Sequence, residues 1–440
     1  MRRSVDIFTY PSKYTDNYST NRLFLHKNAE DMGELTSFVL QHLTDDTARL
    51  ILDKARWPDV DMDLAVNCIE SRRKLRGKVQ EWYDEPELIF PLKLSAEQCS
   101  SSGTARYKAQ LACRIAGKGL KIADLTGGFG VDSWFFSKVA DEVLYNEMLP
   151  ALADAARHNF SILGAGNIKV CNRTVSTEDS ISDILDGFAP DIVYMDPARR
   201  GEGGRKVFLI EDCQPDVLGL KDGILQLSRH MLIKLSPMAD ITMVADRLGS
   251  HCREIHIIGA GGECKELLVW MDREWNGEYS IITSEIHADS TEYQTFKFKP
   301  SEERSCSPAI LQMPSDAAGW WLFEPGKALM KSGAFNTVSE RFSIGKLGRS
   351  THYYMTSSPE KAEELKAYGK VFRIIRSCPL DKRTMKAAGK EFPKAEVTAR
   401  NIPMDTDTLR KKLGTASGDL IHIFGLRSDI SGNILLVTER

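Results

Sequence analysis

The sequence predicts an α/β protein centred on an open, mostly parallel sheet with helices on both faces, and three observations carry this. From Lys121 onward, short apolar runs alternate with segments of helical apolar spacing, the rhythm of successive βαβ units. The first run, Ile122 and Ala123, ends in Asp124 and passes into Thr126, Gly127, Gly128 and Gly130, a strand entering a glycine-rich turn. Two later runs, EIHIIG and ELLVWM, are separated only by Ala260 to Lys265. That link is too short for a parallel crossover and predicts an antiparallel hairpin at the sheet's edge.

A chain of 440 residues is too long for one ordinary core and suggests about three domains. Residues 1–30 read as irregular, with Tyr10, Tyr14 and Tyr18 in a polar setting. Between 31 and 83, three helices follow from the spacing of Leu35, Phe38 and Val39, of Ala48, Ile51 and Leu52, and of Leu64, Ala65, Cys68 and Ile69. Thr44 is the expected cap of the second helix and Trp57-Pro58 its stop. Arg72, Arg73, Lys74, Arg76 and Lys78 form a basic run, either a solvated helix face or a phosphate contact. Pro86 and Pro91 mark a linker, and Ser95 to Gln98 has the form of a capping box.

Strands are expected near 121–125, 142–147, 168–171, 191–196 and 230–235, with helices between them. The glycines match neither the G-x-G-x-x-G dinucleotide fingerprint nor the G-x-x-x-x-G-K-[ST] phosphate loop. Instead an acid precedes them at Asp124, a second strand ends in Glu147, and a third acid stands in Asp196-Pro197. Ligands of open α/β sheets sit at the carboxyl ends of strands, where these acids fall.

The string D-L-T-G-G-F-G-V-D, the acid about twenty residues later and the D-P-A-R motif resemble the class I S-adenosylmethionine-dependent methyltransferases. That resemblance implies a Rossmann-like class I methyltransferase sheet with an antiparallel edge hairpin, and S-adenosyl-L-methionine as cofactor. It implies that Asp124 holds the methionine amino group, that Glu147 accepts the ribose hydroxyls, and that Thr126, Gly127, Gly128, Gly130, Asp132, Asn172 and Asp196 line the cofactor. The chain departs from the family at the third strand, where Asn172 stands near the position of an adenine-side acid. Gln98, Ser100, Thr104 and Tyr107, just before the first strand, are further candidates to cover the cofactor, a plain surface helix being the alternative.

Asp196, Pro197 and Arg199 are the expected catalytic residues. Base-directed amino methyltransferases commonly carry [ND]-P-P-[YFW], whereas Ala198 and Arg199 here look more like RNA-directed members. Methylation at pyrimidine carbon needs a cysteine nucleophile, and the segment after the fifth strand, KLSPMAD, has Ser236 and no cysteine. Cys213 is the nearest thiol, which leaves nitrogen methylation ahead. Arg199, Arg200, Arg205 and Lys206 surround the Gly201 to Gly204 loop and suit capture of a substrate phosphate.

After Trp275 the alternation stops, and YSIITSEIHAD with TFKFKP reads as short antiparallel strands. Residues 361–412 hold fourteen Lys or Arg against seven Asp or Glu, +7 in a chain whose formal charge is -3. The arrangement is similar to a bacterial methyltransferase family with ferredoxin-like and THUMP-like C-terminal domains. The expected division is a helical domain over 1–94, the methyltransferase domain over 95–275, a small ferredoxin-like β-rich domain over 276–319 and a THUMP-like α+β domain over 320–440. The resemblance implies an RNA substrate, tRNA or rRNA. Alternatives are a protein or small-molecule substrate with the tail used for dimerisation, or a catalytically silent RNA scaffold.

The nine cysteines form no C-x-x-C pair and no zinc-type spacing with histidine, so no metal is expected. Without a signal peptide or an uncharged apolar run of membrane-spanning length, the sequence reads as cytoplasmic, with no membrane partner.

Overall fold

The computed structural model describes residues 29–178, 181–199, 209–286 and 293–439. The chain divides into two compact units. The first runs to Leu235 and takes back Trp270–Trp275; the second holds Ser236–Val269 and everything from Asn276 onward.

The first unit opens with helices α1 (Ala29–Gln41), α2 (Thr47–Leu52) and α3 (Met62–Leu75), as the apolar spacing predicts. The cap of α2 is Asp46 rather than Thr44, since the helix begins later and the Asp46 side chain accepts from Ala48 N. The basic run that starts on α3 is a solvated face only in part, since Arg73, Lys74 and Arg76 are exposed. Arg72 is buried, and its guanidinium donates to the carbonyls of Tyr83, Glu85, Pro86 and Leu88. Arg73 donates to the carbonyls of Leu43 and Asp45, and Lys78 to those of Ala96 and Glu97. Irregular backbone has no ladder partner of its own, so these cations satisfy carbonyls that would otherwise lack one.

Helices α4 (Gln80–Tyr83), α5 (Lys93–Gln98) and α6 (Ser102–Ala116) follow. The capping box belongs to α6, with Ser101 and Thr104 satisfying each other's backbone amides. Ser95 lies instead inside α5, which starts two residues earlier.

The strands are β1 (Lys121–Asp124), β2 (Glu142–Asn146), β3 (Ile168–Cys171) and β4 (Ile192–Met195), then the two-residue β5 (Ala198–Arg199) and β6 (Cys213–Gln214), then β7 (His230–Leu235). Helices α7 (Val131–Ser137), α8 (Pro150–Ile162), α9 (Ile181–Leu185) and α10 (Val217–Leu227) intervene. Strands β7, β4, β1, β2 and β3 lie side by side in that order, all parallel. The chain leaves β1 toward β2 and β3, then returns past it to β4 and β7. The order therefore reverses between β1 and β4, and a crevice opens at their carboxyl ends. Ile122 and Ala123 on β1 are fully buried, as a central parallel strand requires.

In the second unit, β8 (Cys252–Ala260) runs into β9 (Glu263–Asp272) through Gly261 and Gly262, with φ of 60° and 77°. This is the predicted hairpin, tightened to a two-residue turn with both φ positive. It does not end the sheet. Strand β10 (Ser280–Ile286) pairs parallel with β8, and β11 (Thr295–Phe298) pairs antiparallel with β10. The stretch expected as a separate ferredoxin-like domain over 276–319 thus contributes strands to the sheet that contains β8. Its signature was the run Ser280 to Ser284, buried on both faces, which marks an interior strand rather than a surface hairpin.

A second sheet is built from β12 (Trp321–Pro325), β13 (Gly345–Lys346), β14 (Tyr354–Thr356), β15 (Gly369–Pro379), β16 (Glu396–Arg400), β17 (Ile421–Ser428) and β18 (Gly432–Glu439). The order is β13-β14-β12-β15-β18-β17-β16, so the segment from Trp321 to Leu365 shares one sheet with the tail. The unit's helices are α11 (Ile241–Leu248), α12 (Pro300–Ser305), α13 (Lys327–Ser332), α14 (Phe335–Arg341), α15 (Pro359–Leu365), α16 (Lys382–Glu391) and α17 (Thr406–Leu413). Alternation along β17 and β18 sends Phe424, Leu426 and Leu436 to one core and Ile423, Leu435 and Val437 to another, where Met385 of α16 and Leu409 of α17 pack.

No disulfide joins the cysteines. Among the described residues no helix is long and apolar enough to cross a membrane, and no group of three His, Cys, Asp or Glu side chains is placed to hold a metal ion.

Candidate active site

Asp124 ends β1 and is buried. Its carboxylate accepts from Ser133 Oγ at 2.6 Å and from the Thr126 amide at 3.1 Å, which fixes the strand end to the first turn of α7. Burial pushes its pKa up to about 7, and the neighbouring carboxylates of Asp132 and Asp196 push the same way, against the two hydrogen bonds.

The glycine turn is held on both sides. Gly127 donates to the Asn146 carbonyl at 2.7 Å and lies against the Tyr145 ring, where an added Cβ would come within 2.1 Å. Gly128 has φ of 54° and Gly130 φ of 92°, both in the region that favours glycine. Between them Phe129 points the other way, stacking on Phe90 at 5.0 Å and on Trp82 at 5.6 Å between ring centroids. The N-terminal helical part thereby anchors the loop through one aromatic plug.

Glu147 follows β2 directly. It accepts from the Gly128 amide at 2.9 Å and the Leu149 amide at 2.8 Å, while burial raises its pKa. Asn172 donates from its side chain to the Glu147 carbonyl at 2.6 Å, placing the end of β3 beside the end of β2. Asn146, fully buried, donates to the Leu125 and Arg173 carbonyls and accepts from the Arg173 amide, tying three strand ends together.

Asp196 follows β4. Its amide donates to Thr126 Oγ1 at 2.6 Å, and its Oδ2 accepts from Lys234 Nζ at 2.6 Å. Lys234 lies on β7 with 13% of its side chain exposed, and Pro197 beside Asp196 is buried. The edge of β1, β2, β4 and β7 thus gathers Asp124, Glu147, Asp196 and Lys234.

Asp132 sits differently from the expectation. Its carboxylate accepts from Ser100 Oγ at 2.9 Å and Tyr194 OH at 2.8 Å, and Lys108 Nζ stands 3.2 Å away. Burial alone would raise its pKa, but Lys108, Lys234 and the two hydroxyls together hold it below the usual value. Asp132 therefore joins α6, α7 and β4 internally. Of the pre-strand candidates, Ser100 belongs to this network, Thr104 to the capping box, and Tyr107 is buried.

The backbone of Arg199 pairs with that of Cys213, which is buried in β6. Arg200, Arg205, Lys206 and the Gly201 to Gly204 loop lie outside the described residues. Sequence reasoning missed Lys234, Lys108 and Asn146. The signal for Lys234 was present, as a lone cation in the apolar strand HMLIKL.

Comparison with a crystal structure from Porphyromonas gingivalis W83, a proposed methyltransferase, gives a TM-score of 0.80 at 28% identity over 94% of this chain and 99% of that one. The sheet is the class I methyltransferase fold. Smaller methyltransferases match over less of the chain. A proposed methyltransferase from Streptococcus mutans, in complex with SAH, is 15% identical over 38% of this chain and 95% of its own, with a TM-score of 0.28. An rRNA methylase from Streptococcus thermophilus is 12% identical over 38% of this chain and 93% of its own, also with a TM-score of 0.28. In the C-terminal region, family models of a ferredoxin-like domain match residues 321–362 and of a THUMP domain-like module residues 369–440. The ferredoxin-like part thus falls later than the 276–319 expected, within the second sheet. No curated protein matches the sequence.

Proposed function

We propose that this chain is an S-adenosylmethionine-dependent methyltransferase of structured RNA, tRNA or rRNA, acting at a base nitrogen. The observation that carries the proposal is the convergence of Asp124, Glu147 and the Lys234-bound Asp196 on one sheet edge, beside a turn stripped of Cβ atoms.

The residues present fit the cofactor. Each carboxylate offers about four acceptor sites, and those of Asp124 and Glu147 retain capacity beyond their internal bonds. Asp124 would take the methionine ammonium and Glu147 the ribose hydroxyls, with Thr126, Gly127, Gly128, Gly130 and Asn172 around them. When bound, S-adenosyl-L-methionine supplies an electrophilic methyl group. Asp132 supports the site from behind by fixing α7.

Asp196 acts on the substrate. Lys234 and Thr126 fix its side chain and backbone, and its second carboxylate oxygen, Oδ1, has no partner among the described residues. That oxygen accepts a hydrogen bond from the N–H of the base and aims the nitrogen at the methyl group, alignment being most of what the reaction needs. Nitrogen is favoured over carbon because the segment after β7 carries Ser236 rather than a thiol, and Cys213 is buried. Arg199, Arg200, Arg205 and Lys206 serve substrate phosphates. The THUMP-like match and the +7 balance of residues 361–412 support RNA over protein or small-molecule substrates. Nine cysteines without a disulfide fit a reducing, cytoplasmic setting.

The test is mass mapping of modified nucleosides in cells lacking the gene. One methylated nucleoside should disappear, returning with the wild-type chain and not with Asp196→Asn. An unchanged RNA profile would overturn the RNA reading.

A further inference from the structure

The structure assigns α16 and α17 as a docking face for the phosphate backbone of RNA. This rests on the RNA reading above and goes beyond it by naming the surface and its mode of contact. Lys382, Lys386 and Lys390 follow one another at intervals of four along α16, so their charges form a stripe with a step of about 6 Å. All three are exposed, while Met385, Ala388 and Gly389 face the core. Gly389 lies so close to α17 that an added Cβ would stand 1.6 Å from the Leu413 carbonyl oxygen. That crossing brings the last turn of α17, with exposed Lys411 and Lys412, beside the stripe. Lys394, also exposed, follows α16 and bridges by its backbone to Ala416 just beyond α17.

None of these six lysines is in an ion pair among the described residues. Four other cations of the tail are paired, Lys366 with Glu363, Arg373 with Glu439, Arg376 with Glu391 and Arg410 with Glu396, whereas Arg383, beside the stripe on α16, is in no ion pair among the described residues. Helix stability does not account for the stripe. Lysines in the last turn of α17 complement the helix dipole, but Lys382 opens α16, where a cation opposes it. A row of regularly spaced point charges without bidentate or aromatic partners matches a repeating polyanion and reads no sequence. The face therefore positions RNA and leaves base choice to the methyltransferase sheet.

The test is full-length chain with Lys382→Gln, Lys386→Gln and Lys390→Gln together, since glutamine keeps comparable helix propensity. Binding of a hairpin RNA is followed across a salt series, with calorimetric titration of S-adenosylhomocysteine as the fold and site control. The expected result is weaker RNA binding, with the slope of log K against log salt reduced by about 2, from roughly 0.7 per phosphate contact. Cofactor affinity should not change, and Lys366→Gln with Arg373→Gln should leave RNA binding intact. If the wild type binds RNA with steep salt dependence and the triple variant keeps both affinity and slope, this face is overturned while the RNA reading stands. If the wild type binds no RNA, both fail. If polyglutamate of matched charge binds the wild type as tightly as the hairpin, the face serves an acidic protein instead.

Discussion

Lys234 Nζ lies 2.6 Å from Asp196 Oδ2, and this pair sets the chemistry available at the carboxyl edge of the first sheet. The lysine occupies one carboxylate oxygen and leaves the other as an acceptor of fixed direction. Asp196→Asn should leave cofactor affinity nearly intact and lower turnover by about 100-fold or more. Lys234→Met should lower kcat more than it raises the RNA KM, because it frees the Asp196 rotamer without removing a substrate contact, and Lys234→Arg should recover part of the loss. Single-turnover kinetics with saturating cofactor separate these effects. Cys213→Ser should do little; an inactive variant and trapped covalent RNA would point to carbon methylation instead.

Because burial pushes the Asp124 pKa up to about 7, cofactor affinity should depend on pH if this carboxylate takes the ammonium. An ammonium needs the ionised carboxylate, so below about pH 7 each unit of acidification should weaken binding up to about tenfold, with a plateau above. Calorimetry between roughly pH 5 and pH 8 should show this, and Asp124→Asn should bind weakly and without that dependence. The sign for stability is opposite. A carboxyl whose folded pKa is raised favours the fold most below about pH 4 and loses that contribution as pH rises through about 7. Asp124→Asn should therefore stabilise the ligand-free chain at pH 8, by on the order of 2 kcal/mol in denaturant unfolding.

The Lys108–Asp132 pair should behave as a structural strut. Lys108 is fully buried, and Lys108→Met would remove the ammonium 3.2 Å from the Asp132 carboxylate, leaving its hydroxyl partners and the field of Lys234. A loss of about 3 kcal/mol is expected in denaturant unfolding. A variant of wild-type stability would show that Asp132 does not need its lysine.

Gly127→Ala should abolish cofactor binding with a modest stability cost. Its Cβ would collide with the Tyr145 ring, which cannot swing away because the residue is fully buried and its hydroxyl is bonded to the Gly128 carbonyl at 2.7 Å. The turn must move instead, taking the Gly128 amide from Glu147. Equal affinity of Gly127→Ala and wild type would mean that the turn does not line the ligand.

The five parallel core strands were legible in the sequence because each is a short apolar run between turn signals, and the acids at their ends are the polar residues that interrupt those runs. What local pattern could not show is partnership across the fold. Arg72 reads as a surface cation until the irregular carbonyls of Tyr83 to Leu88 are wrapped around it. Asp132 reads as a ligand contact until Lys108, thirteen residues before the first strand, arrives beside it. Strands β10 and β11 read as a new domain because only the parallel register of β10 on β8 reveals their sheet. The shared sheet of residues 321–439 was hidden in the same way, since β12 and β15 are far apart in sequence yet pair directly.

In the proposed function, Asp124 and Glu147 together hold S-adenosylmethionine at the ends of β1 and β2. Calorimetric titration of the full-length chain with S-adenosylhomocysteine tests it most directly. The wild type should bind, and Asp124→Ala and Glu147→Ala should each lose measurable binding while keeping cooperative unfolding, because each removes charge-assisted hydrogen bonds rather than packing. Affinity equal to wild type in both folded variants would contradict the claim.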